Sequence, residues 1–198
     1  MLPQNLTHVT FGFCFNQPIE KDVLPQSLIQ LVFDNNFNKY LQENVLPQNI
    51  THLTFGNYFD QPLKKNTLPP HLTKLYFGDC FYQQIGKNVL PQNRTHLIFG
   101  TYFNNPIKEN VLPQSLTHLI FGECFDKPIK LNVLPQNLKL LRFSEQYKYT
   151  RSIKRKLKYS KIKLEFYTFP THFNNKYKKK LKKTTIYKHI FLLLLWIY

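Results

Sequence analysis

Apolar positions return along this chain with a fixed step. Leu-Pro begins at Leu2, Leu24, Leu46, Leu68, Leu90, Leu112 and Leu134, 22 residues apart each time, with no insertion. With that leucine as the first column of a unit, the fifth column is apolar (Leu6, Leu28, Ile50, Leu72, Leu116, Leu138), except at Arg94. The eighth is Val or Leu, from Val9 to Leu141, and the tenth is always Phe, from Phe11 to Phe143. The eleventh is Gly in five units, with Asp34 and Ser144 departing. The fourteenth is Phe until Tyr147, and the eighteenth is Ile or Leu. Leu53-Thr54-Phe55 alternates apolar, polar, apolar, the period of a half-buried strand. Pro, Gly and Asn punctuate every unit and leave no uninterrupted helical run. The proline column (Pro18, Pro62, Pro106, Pro128) lacks an N–H for a ladder and suits an extended connection better than a second strand.

One such unit is too small to bury its own apolar side chains against anything but its neighbours. The pattern therefore predicts a mainly β, right-handed solenoid of 22-residue coils, with one short parallel strand per coil. The repeat occupies residues 2–150 as six full units and a degenerate seventh. Residues 151–198 form a separate basic tail, expected to be irregular or helical.

The recurring FNQPI and FNNPI (Phe15–Ile19, Phe103–Ile107), following LPxxLxxLxFG, resemble the FNIP repeat of social amoebae and amoeba-infecting giant viruses. The unit is also similar to a leucine-rich repeat. Leu116-x-x-Leu119-x-Phe121 matches its strand signature, and Cys14, Asn36, Cys80 and Cys124 stand where that repeat places Asn or Cys; Tyr58 and Tyr102 depart from it. The resemblance implies a protein-interaction repeat. Many members carry an F-box ahead of the repeats, which is not expected here because the chain starts inside its first unit. The implied partner is an unknown protein, in a viral setting a host-cell protein.

Charge separates the two parts. Residues 1–143 hold 12 Lys and Arg against 9 Asp and Glu, and residues 144–198 hold 15 against 2, so most of the net charge of +16 belongs to the tail. The runs RSIKRKLKYSKIK and KYKKKLKK interleave cations with aromatic and aliphatic residues. Lys154, Arg155, Lys156, Lys178, Lys179 and Lys180 are the candidate contacts for a nucleic acid or another polyanion. The alternatives are a membrane-surface segment, a localisation patch, or AT-rich sequence of a decayed gene copy under little selection. The apolar stretch from Ile190 to Tyr198 is nine residues, short of the ~20 that a spanning helix needs.

In the repeat, the seventh and ninth columns flank the inward eighth and tenth and so face outward together. The candidate partner-binding residues are His8, Thr10, His52, Thr54, Lys74, Tyr76, His96, Ile98, His118 and Ile120. His96 and His118 stand about 4.8 Å apart at strand spacing, but two histidines without a carboxylate make a poor metal site. No metal and no cofactor is expected. Nor is catalysis, since the chain has no Gly-rich phosphate loop, no HExxH and no nucleophile elbow. Cys14, Cys80 and Cys124 are odd in number; Cys80 and Cys124 lie two coils apart, too far for a disulfide, and read as structural thiols. With no secretory leader at the N-terminus, an intracellular, cytoplasmic setting is expected, that of the host cell if the protein is viral. Asn5, Asn49 and Asn93 open glycosylation sequons that recur only because the unit recurs.

Overall fold

A computed structural model describes residues 2–168. Seven short strands fall one per coil: β1 (His8–Thr10), β2 (Gln30–Val32), β3 (His52–Thr54), β4 (Lys74–Tyr76), β5 (His96–Ile98), β6 (His118–Ile120) and β7 (Leu140–Ser144). Helix α1 (Thr150–Leu157) and strand β8 (Lys163–Tyr167) follow. All eight strands form one sheet in chain order, every neighbouring pair parallel. From β1 to β7 each residue pairs with the one 22 positions on, as Leu53 does with Leu75, so the sequence period is the register of the ladder.

The columns that repeat most strictly point inward. Leu31, Leu53, Leu75, Leu97, Leu119 and Leu141 are fully buried. The two aromatic columns stack in pairs within each coil, Phe55 on Phe59 at 3.9 Å and Phe99 on Phe103 at 3.8 Å, and again from coil to coil at 5.3–6.2 Å, as Phe121 on Phe143 and Phe81 on Phe103 show. Phenylalanine suits both columns because a flat ring meets one neighbour in its own coil and another in the next.

Three further columns close the coils. A Cβ on Gly56, Gly78, Gly100 or Gly122 would lie 1.9–2.1 Å from a backbone oxygen of the coil before it, so only glycine lets the backbones approach there. Asp22, Asn44, Asn66, Asn88 and Asn110 hold the left-handed conformation, with φ of 58–64°. Asn and Asp tolerate it better than other side-chain-bearing residues, and it turns the chain into the next Leu-Pro. The asparagine of the FNxP motif forms a side-chain ladder. Asn16 Oδ1 accepts from the Asn38 N–H, Asn38 Oδ1 from the Asp60 N–H and Asp60 Oδ1 from the Tyr82 N–H, at 2.8–3.0 Å. Around the proline column no strand forms, as its missing donor requires.

Past residue 150, the described part of the segment expected as a tail continues against the coils. β8 extends the ladder with a 23-residue step, Leu140 pairing with Lys163. Its Phe166 stacks on Phe143 at 6.3 Å, and its Glu165 binds Arg142 and Lys163. The α1 sequence TRSIKRKL puts Ile153 and Leu157, four residues apart, on one buried face. The start of the basic segment thus adds a layer to the solenoid.

Candidate interaction surface

The outward face of the sheet is built from the seventh and ninth columns. Its histidines are held one by one. The Thr51, Thr95 and Thr117 hydroxyls lie 2.9–3.3 Å from backbone carbonyls of the preceding coil. Each hydroxyl oxygen lies 2.7–2.8 Å from Nδ1 of the next residue, His52, His96 or His118. That hydrogen bond holds each ring in a set orientation on the face. His96 and His118 stack at 4.3 Å between ring centroids. Burial, then neighbouring positive charge, lowers the His52 and His118 pKa and pushes that of His96 down to about 3. These histidines are neutral at pH 7.

The face grades along its length. His8 and Thr10 are exposed, and His52, Thr54, Lys74, Tyr76, His96 and His118 are half-buried. Ile98 and Ile120, expected outside, are 4 % exposed. They pair with each other and Ile98 pairs with Tyr76, so each apolar side chain stands against its neighbour in the column. Tyr167 reaches back to donate to the Phe121 carbonyl at 2.7 Å, next to Ile120. Aliphatic residues on a closely spaced ladder shelter one another where short polar ones do not.

A second exposed feature was not chosen from the sequence. Phe13, Tyr58, Tyr82 and Tyr102 are each 52–56 % exposed, just after the strand in their coils. Tyr58 and Tyr102 flank Cys80 in the column where they break the Asn/Cys pattern, and that break was the available signal. The thiols of Cys80 and Cys124 are pushed up in pKa by burial and by Asp79 and Glu123 beside them, which weakens them as nucleophiles.

Of the candidate cations, Lys154, Arg155 and Lys156 lie on α1 with exposed side chains. Lys154 Nζ sits 4.9 Å from the centre of the Phe166 ring, and Lys156 Nζ donates to the Ile129 carbonyl at 3.3 Å, so both also fasten the helix to the last coils. Lys178, Lys179 and Lys180 lie outside the described residues. Among the described residues no three His, Cys, Asp or Glu side chains gather as a metal site, and no helix is long and apolar enough to cross a membrane.

The FNIP repeat model matches residues 15–58, 59–102 and 103–146, three adjoining stretches of two coils each. The chain belongs to the FNIP repeat family. A solved structure described as CroV588, a novel circular LRR protein structure, from a giant virus, shares 43 % identity with a TM-score of 0.72. The match covers 85 % of this FNIP-repeat chain and 28 % of the other, so the chain spans under a third of that protein's length. No curated protein sequence matches it. The leucine-rich-repeat-like solenoid read from the 22-residue period is the fold that these relatives share.

Proposed function

We propose that this FNIP-repeat chain is a non-enzymatic protein-interaction module whose outward strand face carries recognition of a host-cell protein. One observation supports the reading most. The columns beneath the sheet are nearly constant, and the columns on its face vary: His8, Gln30, His52, Lys74, His96 and His118 in one, Thr10, Val32, Thr54, Tyr76, Ile98 and Ile120 in the other. A scaffold that holds its core fixed while its surface changes from coil to coil presents a row of distinct contacts at regular spacing. The polar, half-buried part around β3 and β4, with His52, Thr54 and Tyr76, suits a protein contact of mixed character.

The test is affinity capture with the full chain from amoeba lysate, beside a form carrying His52→Ser, Thr54→Ser and Tyr76→Ser. A protein retained by the first and lost from the second, with equal melting temperatures for the two forms, supports the strand face. Retention by both forms, lost instead from a Tyr58→Ser, Tyr102→Ser form, moves recognition to the tyrosine ridge. Salt-sensitive retention of RNA alone replaces the reading with polyanion binding.

A further inference from the structure

Past the buried eighteenth column each coil turns toward the next Leu-Pro. In four successive coils that turn carries exposed lysine: Lys64 and Lys65 in the third, Lys87 in the fourth, Lys108 in the fifth and Lys130 in the sixth. The turns stack coil on coil. The Asn44 N–H donates to the Asn66 carbonyl at 3.0 Å, Gln84 Nε2 to the Pro106 carbonyl at 3.0 Å, and Asn132 Nδ2 to Glu109 Oε1 at 2.7 Å. The lysines therefore repeat with the coil step, about 4.8 Å where strands pair. The acids in these columns are Glu20 and Glu43 in the first two coils, and Glu109, which bonds to Asn132.

Helix α1 prolongs the row. Lys156 Nζ donates to the Ile129 carbonyl, directly before Lys130, while Ile153 and Leu157 fix the helix in the core. Arg151 and Arg155, four residues apart on one face, are exposed, as are Lys154 and Lys158, and α1 contains no acid. Between α1 and the turn after Lys130 lies a groove of about 300 Å³, whose lining includes Leu131, Leu134, Gln136, Lys156, Ser160 and Lys161. Two lysines and no carboxylate border its apolar floor.

Aromatic rings stand beside the cations at both ends of the row. Tyr159 is 88 % exposed, with Lys158 Nζ 5.1 Å from its ring centre. Tyr40 is 39 % exposed, with Lys64 Nζ 5.6 Å from its ring centre. A single-stranded nucleic acid uses both kinds of group: ammonium groups hold successive phosphates, and unstacked bases lie on open rings. An acidic peptide would engage the lysines and leave the rings idle.

We propose that the lysine turns of the third to sixth coils and α1 form one track for single-stranded nucleic acid. The track is separate from the strand face, since none of its residues belongs to β1–β7.

Fluorescence anisotropy of a short labelled oligouridine, titrated with the full chain over a range of salt, tests it. Salt-sensitive binding is expected. Lys87→Gln with Lys108→Gln removes two phosphate contacts from the coils. At ~0.1 M salt it weakens binding by about 25-fold, and the slope of log affinity against log salt becomes shallower by about 1.4. Lys21→Gln with Lys139→Gln removes the same charge from exposed positions off the track and leaves the affinity near that of wild type. Tyr159→Ala weakens binding by about fivefold or more and leaves the salt slope unchanged. All these side chains are exposed, so the melting temperatures stay with wild type. Absence of binding by the full chain overturns the proposal. So do equal losses in the two double variants, because net charge alone would then act. Full affinity in Lys87→Gln with Lys108→Gln places binding elsewhere in the chain and overturns it as well. Polyglutamate that displaces the label as readily as unlabelled oligouridine does would mark a site for acidic peptides instead.

Discussion

Arg94 interrupts the fifth column, between Leu72 and Leu116, and its replacement by leucine should stabilise the protein. Arg94 is 0 % exposed, and none of its three guanidinium nitrogens has a hydrogen-bond partner. Burial lowers its pKa from 12.5 to about 9. A base with a depressed folded-state pKa disfavours folding, fully so below the folded value, and the penalty fades as pH rises toward the unfolded one. At pH 7 the difference of 3.5 between those two values corresponds to about 5 kcal/mol. Relaxation around the charge reduces what a real substitution recovers, and hydrophobic replacements of buried charges typically return about 1–4 kcal/mol. The alkyl stem of arginine already fills much of the volume of leucine, so burial of the new side chain adds little.

Arg94→Leu should therefore raise the melting temperature at pH 7 by about 2–16 °C, from about 2–4 °C per kcal/mol for a unit of this size. Scanning calorimetry is the assay. Arg94→Met, which keeps the length and drops the charge, should give a gain of the same sign. At pH 10 the gap between wild type and Arg94→Leu should narrow by about 1 kcal/mol, because wild-type Arg94 begins to lose its proton in the folded state. A less stable leucine variant, or a gap that widens with alkali, would refute the reasoning. Either would mean that the guanidinium is satisfied inside the coil.

Two other predictions concern the glycine column and the histidine face. Gly100→Ala would place its Cβ 2.1 Å from the Gly78 oxygen and should cost about 1–3 kcal/mol, whereas Gly12→Ala, with open space, should be neutral in thermal melts. A neutral Gly100→Ala would show that the coils slide apart freely. For pH, the His96 pKa falls from 6.5 to about 3 on folding, so stability is unaffected above 6.5 and declines as pH drops from there toward 3, where the unfolded chain takes a proton that the folded face resists. Denaturant melts at pH 7 and pH 4 should show a smaller acid loss in His96→Gln than in wild type; equal losses would place the acid sensitivity elsewhere.

The fold was legible because the period of the sequence is the register of the sheet: the 22-residue step from Leu53 to Leu75 is also a backbone pairing. The aromatic, glycine and leucine columns could be read from residue type alone. The asparagine at the end of each unit was harder. Its reason is a backbone torsion, the positive φ at Asn44 or Asn88, which leaves no hydrophobic pattern. β8 was not legible because it takes up the ladder one residue late, after the repeat words have gone. On the outward face, alternation gave the direction of the side chains but not their shelter. Ile98 and Ile120 are covered because of what their neighbours are, which depends on three coils at once.

The same separation bears on function. Substitutions such as Tyr82 for asparagine, or Tyr58 and Tyr102 in the Asn/Cys column, fall where a ladder loses a bond or a side chain gains exposure. Inside, Arg94 is an unpartnered charge that the surrounding coils tolerate. A repeat tolerates such a defect because each coil leans only on its neighbours, and the cost stays local. That locality also leaves the face free to differ from coil to coil. If the interaction reading is correct, Arg94→Leu should raise stability and leave partner capture unchanged. A stabilised variant that lost its partner would tie recognition to the softness of the fifth coil, not to the side chains on its face.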